Sequence, residues 1–289
     1  MSPGAISSEA RQIGETLNQA LPYIQRFAGE TFVIKYGGAA MARPETMEAV
    51  LRNVLLLQHI GIRVVLVHGG GPEIDAWLAR LGIERRFENG QRVTDDATMD
   101  VVEMALAGRA NKALVAEITR CGGRAVGLSG RDAAILTARP VSPELGRTGE
   151  IIAVDPTLVA SLAAQGYVPV LCSVAGDDET RALNVNADLA AAAVAGALGA
   201  AKLVVLSDTP GVLRDRHDPA SRISKLGGDE ARALIGDGTI AGGMIPKVES
   251  ALRALELGVR RVHLIDAGTP NALLVELFTE AGIGTMLAR

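Results

Sequence analysis

The residues of this chain best placed to do chemistry are two lysines beside glycine runs. Lys35 precedes Gly37 and Gly38, and Lys247 follows Gly242 and Gly243. A third run, Gly69-Gly70-Gly71, leads into Pro72, a residue suited to the first turn of a helix. Glycines leave backbone N–H groups unshielded and a helix N-terminus carries partial positive charge, so such places suit phosphate or carboxylate. Asn184-Val185-Asn186-Ala187-Asp188 gathers two amides and a carboxylate within five residues, more than one helix cap requires. Arg92, in Gly90-Gln91-Arg92-Val93-Thr94 after a hairpin pattern, offers a planar fork for a carboxylate. Each feature also has a plain reading: glycines make tight turns, lone lysines are solvated, and Asp188 can simply cap a helix. Their joint occurrence at strand and helix ends favours the anion site.

The elements that must position these groups follow a regular alternation. Strand-like apolar runs cover residues 32–35, 63–68, 125–128, 167–173, 202–207 and 261–265. Helical patterns cover residues 44–59, 97–120, 187–199, 247–257 and 271–281, and prolines and glycines in 134–154 suggest β-hairpins. An amphipathic helix over 8–27, with Leu17, Leu21, Ile24 and Phe27 at helical spacing, precedes the alternation. The pattern predicts an α/β fold: a three-layer αβα open, mainly parallel sheet with an extra N-terminal helix. The expected divisions are 1–29, 30–175 and 176–289.

Composition excludes several classes. The chain has 289 residues, 48% hydrophobic and only 3% aromatic, which suits buried strands crossed by Ala-rich helices. A net charge of −4 gives no electrostatic case for nucleic acid or an anionic membrane. Cys121 and Cys172 are too few and too far apart for a disulfide framework or a zinc motif. Residues 1–30 lack the pattern of a signal peptide, and no apolar run is long enough to span a bilayer, so a cytoplasmic location is expected. There is no Gly-x-x-x-x-Gly-Lys-Ser/Thr loop, and Gly69-Gly70-Gly71 is not the dinucleotide fingerprint, which disfavours a Rossmann oxidoreductase.

Six motifs in order carry a resemblance. They are Ile34-Lys35-Tyr36-Gly37-Gly38, Val67-His68-Gly69-Gly70-Gly71-Pro72, Arg92-Val93-Thr94, Asn184-Val185-Asn186-Ala187-Asp188, Leu206-Ser207-Asp208-Thr209-Pro210-Gly211-Val212 and Gly243-Met244-Ile245-Pro246-Lys247. Over about residues 20–286 the chain resembles the amino-acid kinase family and, within it, the arginine-sensitive N-acetyl-L-glutamate kinases. Segment 142–149 and Pro210 depart from the familiar pattern. The resemblance implies phosphorylation of the γ-carboxylate of N-acetyl-L-glutamate by ATP with Mg²⁺; with few carboxylates in the motifs, the metal is expected to be held mostly by ATP and water. It implies catalytic roles for Lys35, Lys247 and Asp188, with Asp188 positioning both lysines. Substrate binding falls to Gly70, Gly71, Arg92, Asn184 and Asn186. ATP binding falls to Gly37, Gly38, Ser207, Asp208, Gly211, Leu213, Gly243 and Met244. Residues 30–175 would form the acetylglutamate lobe and 176–289 the ATP lobe.

The resemblance further implies feedback inhibition by L-arginine, held by Tyr23, Lys202, Glu276, Gly282 and Gly284. It implies a homohexamer, a trimer of dimers interlaced through helix 8–27, and leaves open a nitrogen-signalling protein as partner. Two alternatives stay open: a kinase for another acidic amino-acid derivative of aminoadipate type, and an inactive ligand sensor on the same scaffold.

Overall fold

A computed structural model describes residues 7–38, 41 and 43–289; residues 1–6 of the N-terminal segment lie outside them. The chain runs α1 (Ser8–Phe27), β1 (Thr31–Tyr36), α2 (Pro44–His59), β2 (Arg63–His68) and α3 (Gly71–Leu81). A short hairpin of β3 (Phe87–Glu88) and β4 (Gln91–Arg92) turns on Asn89 and Gly90, both at positive φ, as a tight two-residue loop requires. Then come α4 (Asp96–Glu103), a π-helical segment Met104–Ala110, α5 (Asn111–Arg120), β5 (Ala125–Ser129), β6 (Leu136–Pro140), β7 (Thr148–Val154) and α6 (Thr157–Ala164). Strands β8 (Val168–Cys172), β9 (Val174–Gly176) and β10 (Ala182–Val185) lead to α7 (Ala187–Ala197) and β11 (Lys202–Ser207). The chain ends with β12 (Lys225–Gly227), α8 (Gly228–Gly236), α9 (Met244–Glu256), β13 (Arg261–Asp266), α10 (Ala272–Phe278) and β14 (Thr285–Ala288).

Eight strands form one sheet in the order β12-β14-β13-β11-β1-β2-β8-β5. All neighbours are parallel except β13 and β14. Strands covered on both faces must be apolar throughout, which is why runs such as Phe32-Val33-Ile34 and Leu203-Val204-Val205-Leu206 are fully buried. Alternate residues enter two cores. Val33, Val65, Val67 and Val205 pack with α6, α7 and α9, whereas Phe32, Ile34, Leu66 and Val204 pack with α2, α5 and α10. The result is the expected three-layer sandwich. One half of the sheet comes from residues 31–172 and the other from 202–288, and they meet at the β1–β11 pair.

Outside the sheet, β6 and β7 pair antiparallel as the hairpin pattern suggests, and β9 and β10 close them into a small four-stranded barrel. The sequence division at residue 175 falls within β9. Two further differences from the sequence reading matter. The helix expected over 97–120 is interrupted by the π-helical segment, which contains Gly108, a weak helix former, and delivers Asn111 fully buried. Helix α9 begins at Met244, so Lys247 sits inside the first turn and not at its start. Among the described residues no helix is long and apolar enough to cross a membrane.

Candidate active site

Ligands of open parallel sheets bind beyond the carboxyl ends of the strands. Here those ends are set in register, with Tyr36 opposite His68 and His68 opposite Cys172. Lys35 reaches Asp188 of α7 at 2.8 Å from Nζ to Oδ1, the two side chains being only 9% and 10% exposed. The contact is a close ion pair and not an aligned hydrogen bond. Asn186 caps α7 and so places Asp188: its Oδ1 accepts from the backbone N–H groups of Asp188 (2.8 Å) and Leu189 (3.2 Å). A Cβ on Gly37 would stand 3.2 Å from Lys35 Nζ and 3.5 Å from Gly69 N, and one on Gly69 would stand 3.0 Å from Ala187 Cβ. The ends of β1 and β2 and the start of α7 therefore converge on the Lys35 amine. Gly70 is the N-cap of α3 and Gly71 its first residue; a Cβ on Gly70 would strike Leu106 of the π-helical segment at 2.7 Å. Gly38 follows with a left-handed φ of 70°.

Arg92 is 8% exposed and lies beside this convergence on β4. Its Nη2 donates to Asp75 Oδ1 at 2.5 Å, its guanidinium lies 4.8 Å from the centre of the Phe87 ring, and its Nη1 is buried with no partner among the described residues. Thr94 ties Arg92 to Asn184: its hydroxyl donates to the Arg92 carbonyl at 3.0 Å and accepts from Asn184 Nδ2 at 3.2 Å. Thr148 adds a second bond to the Arg92 carbonyl, 2.5 Å long. Separate stretches of chain thus meet around one arginine that has donor capacity to spare.

On the other half of the sheet, Ser207 ends β11 and shares hydrogen bonds with Thr209, while Asp208 is exposed. Gly211 has φ 112°, and a Cβ there would lie 2.6 Å from Thr285 Oγ1; Leu213 bridges to Arg222. Gly243 caps α9, Met244 begins it, and Lys247 is half-buried. Among the described residues Lys247 makes no ion pair and no side-chain hydrogen bond, so Asp188 holds Lys35 and not Lys247, unlike the sequence expectation.

The amino acid kinase family matches residues 30–266. The chain is 53% identical to the acetylglutamate kinase of Thermosynechococcus vestitus over 94% of its length and 92% of that protein. It is 52% identical to that of a Nostoc species, over 97% and 94%. The chain belongs to the acetylglutamate kinases of the amino acid kinase family. Among solved structures, N-acetylglutamate synthase from Neisseria gonorrhoeae complexed with coenzyme A and N-acetyl-glutamate superposes with a TM-score of 0.85 at 28% identity. The match covers 96% of this chain and 63% of that longer one. Carbamate kinase from Giardia lamblia, 17% identical with a TM-score of 0.65 over 90% of this chain and 99% of that one, shares the fold.

A second cleft in this acetylglutamate kinase relative lies at the amino ends of the strands, against α1. It holds about 580 Å³ and brings together Tyr23, Lys202, Glu276, Gly282 and Gly284. Lys202 Nζ donates to His263 Nε2 at 2.9 Å, and His263 Nδ1 donates to Glu276 Oε1 at 2.6 Å. Glu276 Oε2 accepts from the N–H groups of Ile283 (2.7 Å) and Gly284 (2.9 Å). A Cβ on Gly282 would press on that carboxylate at 2.7 Å. Burial, with Arg261 nearby, pushes Lys202 down to about 8, and burial also holds His263 below its ordinary value. Burial would raise the Glu276 carboxyl, but the His263 hydrogen bond and the two backbone donors hold it low.

Sequence reasoning missed Asp75, Thr148, Asn111 and His263. His263 carried a signal, a polar residue within the apolar run of β13; the others owe their places to tertiary contacts.

Proposed function

We propose that the chain transfers the γ-phosphoryl group of ATP to the side-chain carboxylate of N-acetyl-L-glutamate, giving N-acetyl-L-glutamyl 5-phosphate and ADP in arginine biosynthesis. The observation that carries this is the buried Lys35–Asp188 pair at the meeting of two glycine turns, in a chain about half identical to acetylglutamate kinases. A free glutamate side chain titrates near ~4.3, so the nucleophile is already ionised near neutral pH and needs no general base. One carboxylate oxygen attacks the γ-phosphorus as the bond to the β-phosphate oxygen breaks. What the site must supply is alignment and positive charge for the transferring group.

In this reading Lys35 and Lys247 neutralise that charge, Asp188 orients Lys35, and the N–H groups around Gly37, Gly38, Gly70 and Gly71 face the anion. Arg92 would hold the α-carboxylate through its unpaired Nη1, with Asn184 opposite. Ser207, Asp208, Gly211, Leu213, Gly243 and Met244 would line the nucleotide, so that residues 30–175 form the substrate lobe and 176–289 the ATP lobe. Among the described residues no three His, Cys, Asp or Glu side chains come together as metal ligands, and Mg²⁺ would be carried by the ATP phosphates.

The second cleft would bind L-arginine as feedback inhibitor. A neighbouring solved structure, N-acetylglutamate synthase from Neisseria gonorrhoeae complexed with coenzyme A and L-arginine, superposes with a TM-score of 0.79 at 28% identity, covering 95% of this chain and 65% of that one. Helix α1 exposes Ile13, Leu17 and Leu21, a face suited to pairing with another subunit in a hexamer. The enzyme would work in the cytoplasm, where a nitrogen-signalling protein is a candidate partner. The test is an ADP-release assay across N-acetylglutamate, glutamate, aspartate and aminoadipate derivatives, with and without arginine. A turnover preference for any substrate other than N-acetylglutamate would overturn the assignment.

A further inference from the structure

The glycine turn after β2 poses a problem that neighbouring side chains solve. A peptide unit flanked by glycines can flip, because no Cβ restricts φ. Flipped one way, the Gly69–Gly70 unit offers an N–H to an anion; flipped the other way, it offers a carbonyl oxygen that repels one. His68, the last residue of β2, is wholly buried, and its Nδ1 lies 3.0 Å from the Gly69 carbonyl oxygen.

Asn111 decides which ring nitrogen carries the proton. Its Nδ2 lies 2.8 Å from the Val170 carbonyl and 3.3 Å from the Leu128 carbonyl, and carbonyls only accept, so that end of the amide is the nitrogen. Lys112 Nζ, which only donates, lies 3.2 Å from Asn111 Oδ1 and requires the same orientation. The same Nδ2 lies 3.1 Å from His68 Nε2, which must therefore accept. The proton is on Nδ1 and is donated to Gly69. Burial supports this by pushing the ring down to about 4, so that Nε2 keeps its lone pair. A Cβ on Gly127 would fall 1.9 Å from Asn111 Oδ1, so the glycine of β5 makes the room this amide occupies.

No peptide bond among the described residues is cis, and in a trans unit the C=O and N–H point in opposite directions. With its oxygen fixed toward the His68 ring, the unit turns the Gly70 N–H away from that ring. Among the described residues this N–H has no acceptor, and the turn it belongs to is the one that meets Gly37 and the Lys35 amine.

We infer that His68, held in its Nδ1–H tautomer by Asn111, is a positioning residue of the phosphoryl-transfer site: it locks the Gly69–Gly70 peptide so that an N–H, and not a carbonyl, faces the reacting anion. The inference rests on the acetylglutamate kinase reading of the site. His68→Leu removes the donor, whereas His68→Asn sets an amide N–H close to where Nδ1–H stood; both lose the bond to Asn111. Steady-state kinetics of the full chain, with unfolding temperatures alongside, should show kcat of His68→Leu lowered on the order of 10²-fold with KM for N-acetylglutamate changed far less. His68→Asn should recover most of that kcat at a comparable unfolding temperature. Equal kcat values for the two variants would make the role merely structural and overturn the inference. Histidine ¹⁵N NMR of the wild type requires no variant to fold: protonated Nδ1 is expected, and an Nε2–H tautomer would overturn the wiring. Wild type inactive on N-acetylglutamate would sink the functional reading itself, whereas an active wild type with a fully active His68→Leu variant would sink this inference alone.

Discussion

Asp188→Asn keeps the side-chain shape and removes one charge, leaving Lys35 buried beside an amide. At 2.8 Å the gross attraction between the two charges is about 6 kcal/mol at an effective dielectric of 20. Most of that offsets the desolvation of two nearly buried groups, and removing one partner of such a pair costs about 3–5 kcal/mol. The pair is not an aligned hydrogen bond, which argues for the lower end, about 3 kcal/mol. In a chain of this size each kcal/mol shifts the midpoint by roughly 2 °C, so Tm should fall by about 6 °C. ATP phosphates would supply the negative charge that Lys35 has lost, so Mg-ATP should raise the variant's Tm by more than the wild type's. Turnover should nevertheless fall on the order of 10²–10³-fold, since the amine is no longer held in line. Differential scanning fluorimetry with and without Mg-ATP, beside an ADP-release assay, reads all three. A variant with wild-type Tm and kcat, or one that gains no extra stabilisation from ATP, would refute the reasoning.

Lys247→Ala, which breaks no ion pair among the described residues, should lower kcat on the order of 10²-fold with Tm nearly unchanged; a kcat within threefold of wild type would remove Lys247 from the mechanism. Arg92→Lys keeps the charge but loses the fork between Asp75 and substrate, so KM for N-acetylglutamate should rise on the order of tenfold with kcat changed less. Lys202, pushed down to about 8, is a cation below that pH and neutral above it, so arginine's inhibitory potency should weaken as pH rises through 8; an IC50 flat from pH 7 to 9 would detach Lys202 from the inhibitor's carboxylate. Removing residues 1–26, which keeps the buried Phe27, should abolish arginine inhibition and reduce the assembly to dimers by light scattering while kinase activity persists.

The sequence disclosed elements whose signals are local and strong. Pro44 opens α2 and the apolar run Val64–Val67 makes β2, and both elements have the bounds their patterns suggest. The positions of Lys35 at a strand end and of Asn186 and Asp188 at a helix start were legible because glycines and a cap mark them. The π-helical segment was not, since a window of helical periodicity does not register the wider turn that brings Asn111 inward. Helix α6 is short and nearly all apolar, with no polar face to betray its period. The partner of Arg92 lies 17 residues away on α3, and that of His68 lies 43 residues away on α5. Such pairings depend on how helices dock against the sheet, and no local pattern encodes them.

The placing of the two clefts on one strand constrains how arginine could act. Strand β11 begins at Lys202 in the second cleft and ends at Ser207 at the opposite, carboxyl edge of the sheet, about 17 Å away at ~3.3 Å per residue. All six of its residues are buried, and it is hydrogen-bonded to β1 on one side and β13 on the other. A strand so held cannot lengthen or slip to carry a signal, because packed interiors resist continuous deformation. The alternative is a tilt of one half of the sheet relative to the other about the β1–β11 pair, where the two halves meet. Lys35 belongs to the first half, whereas α9, which carries Lys247, packs on β11, β13 and β14 of the second and on α7, so a tilt would change the spacing of the two lysines. The cleft has a lever on that seam. Phe27 of α1 meets Phe32 of β1 edge to face at 5.3 Å and Phe278 of α10 edge to face at 6.1 Å, and Tyr23 meets Phe278 at 6.0 Å. A ligand wedged against Tyr23 and Phe27 would push on both halves at once, and inhibition would then appear as a change in how the lobes close and not as distortion of either one.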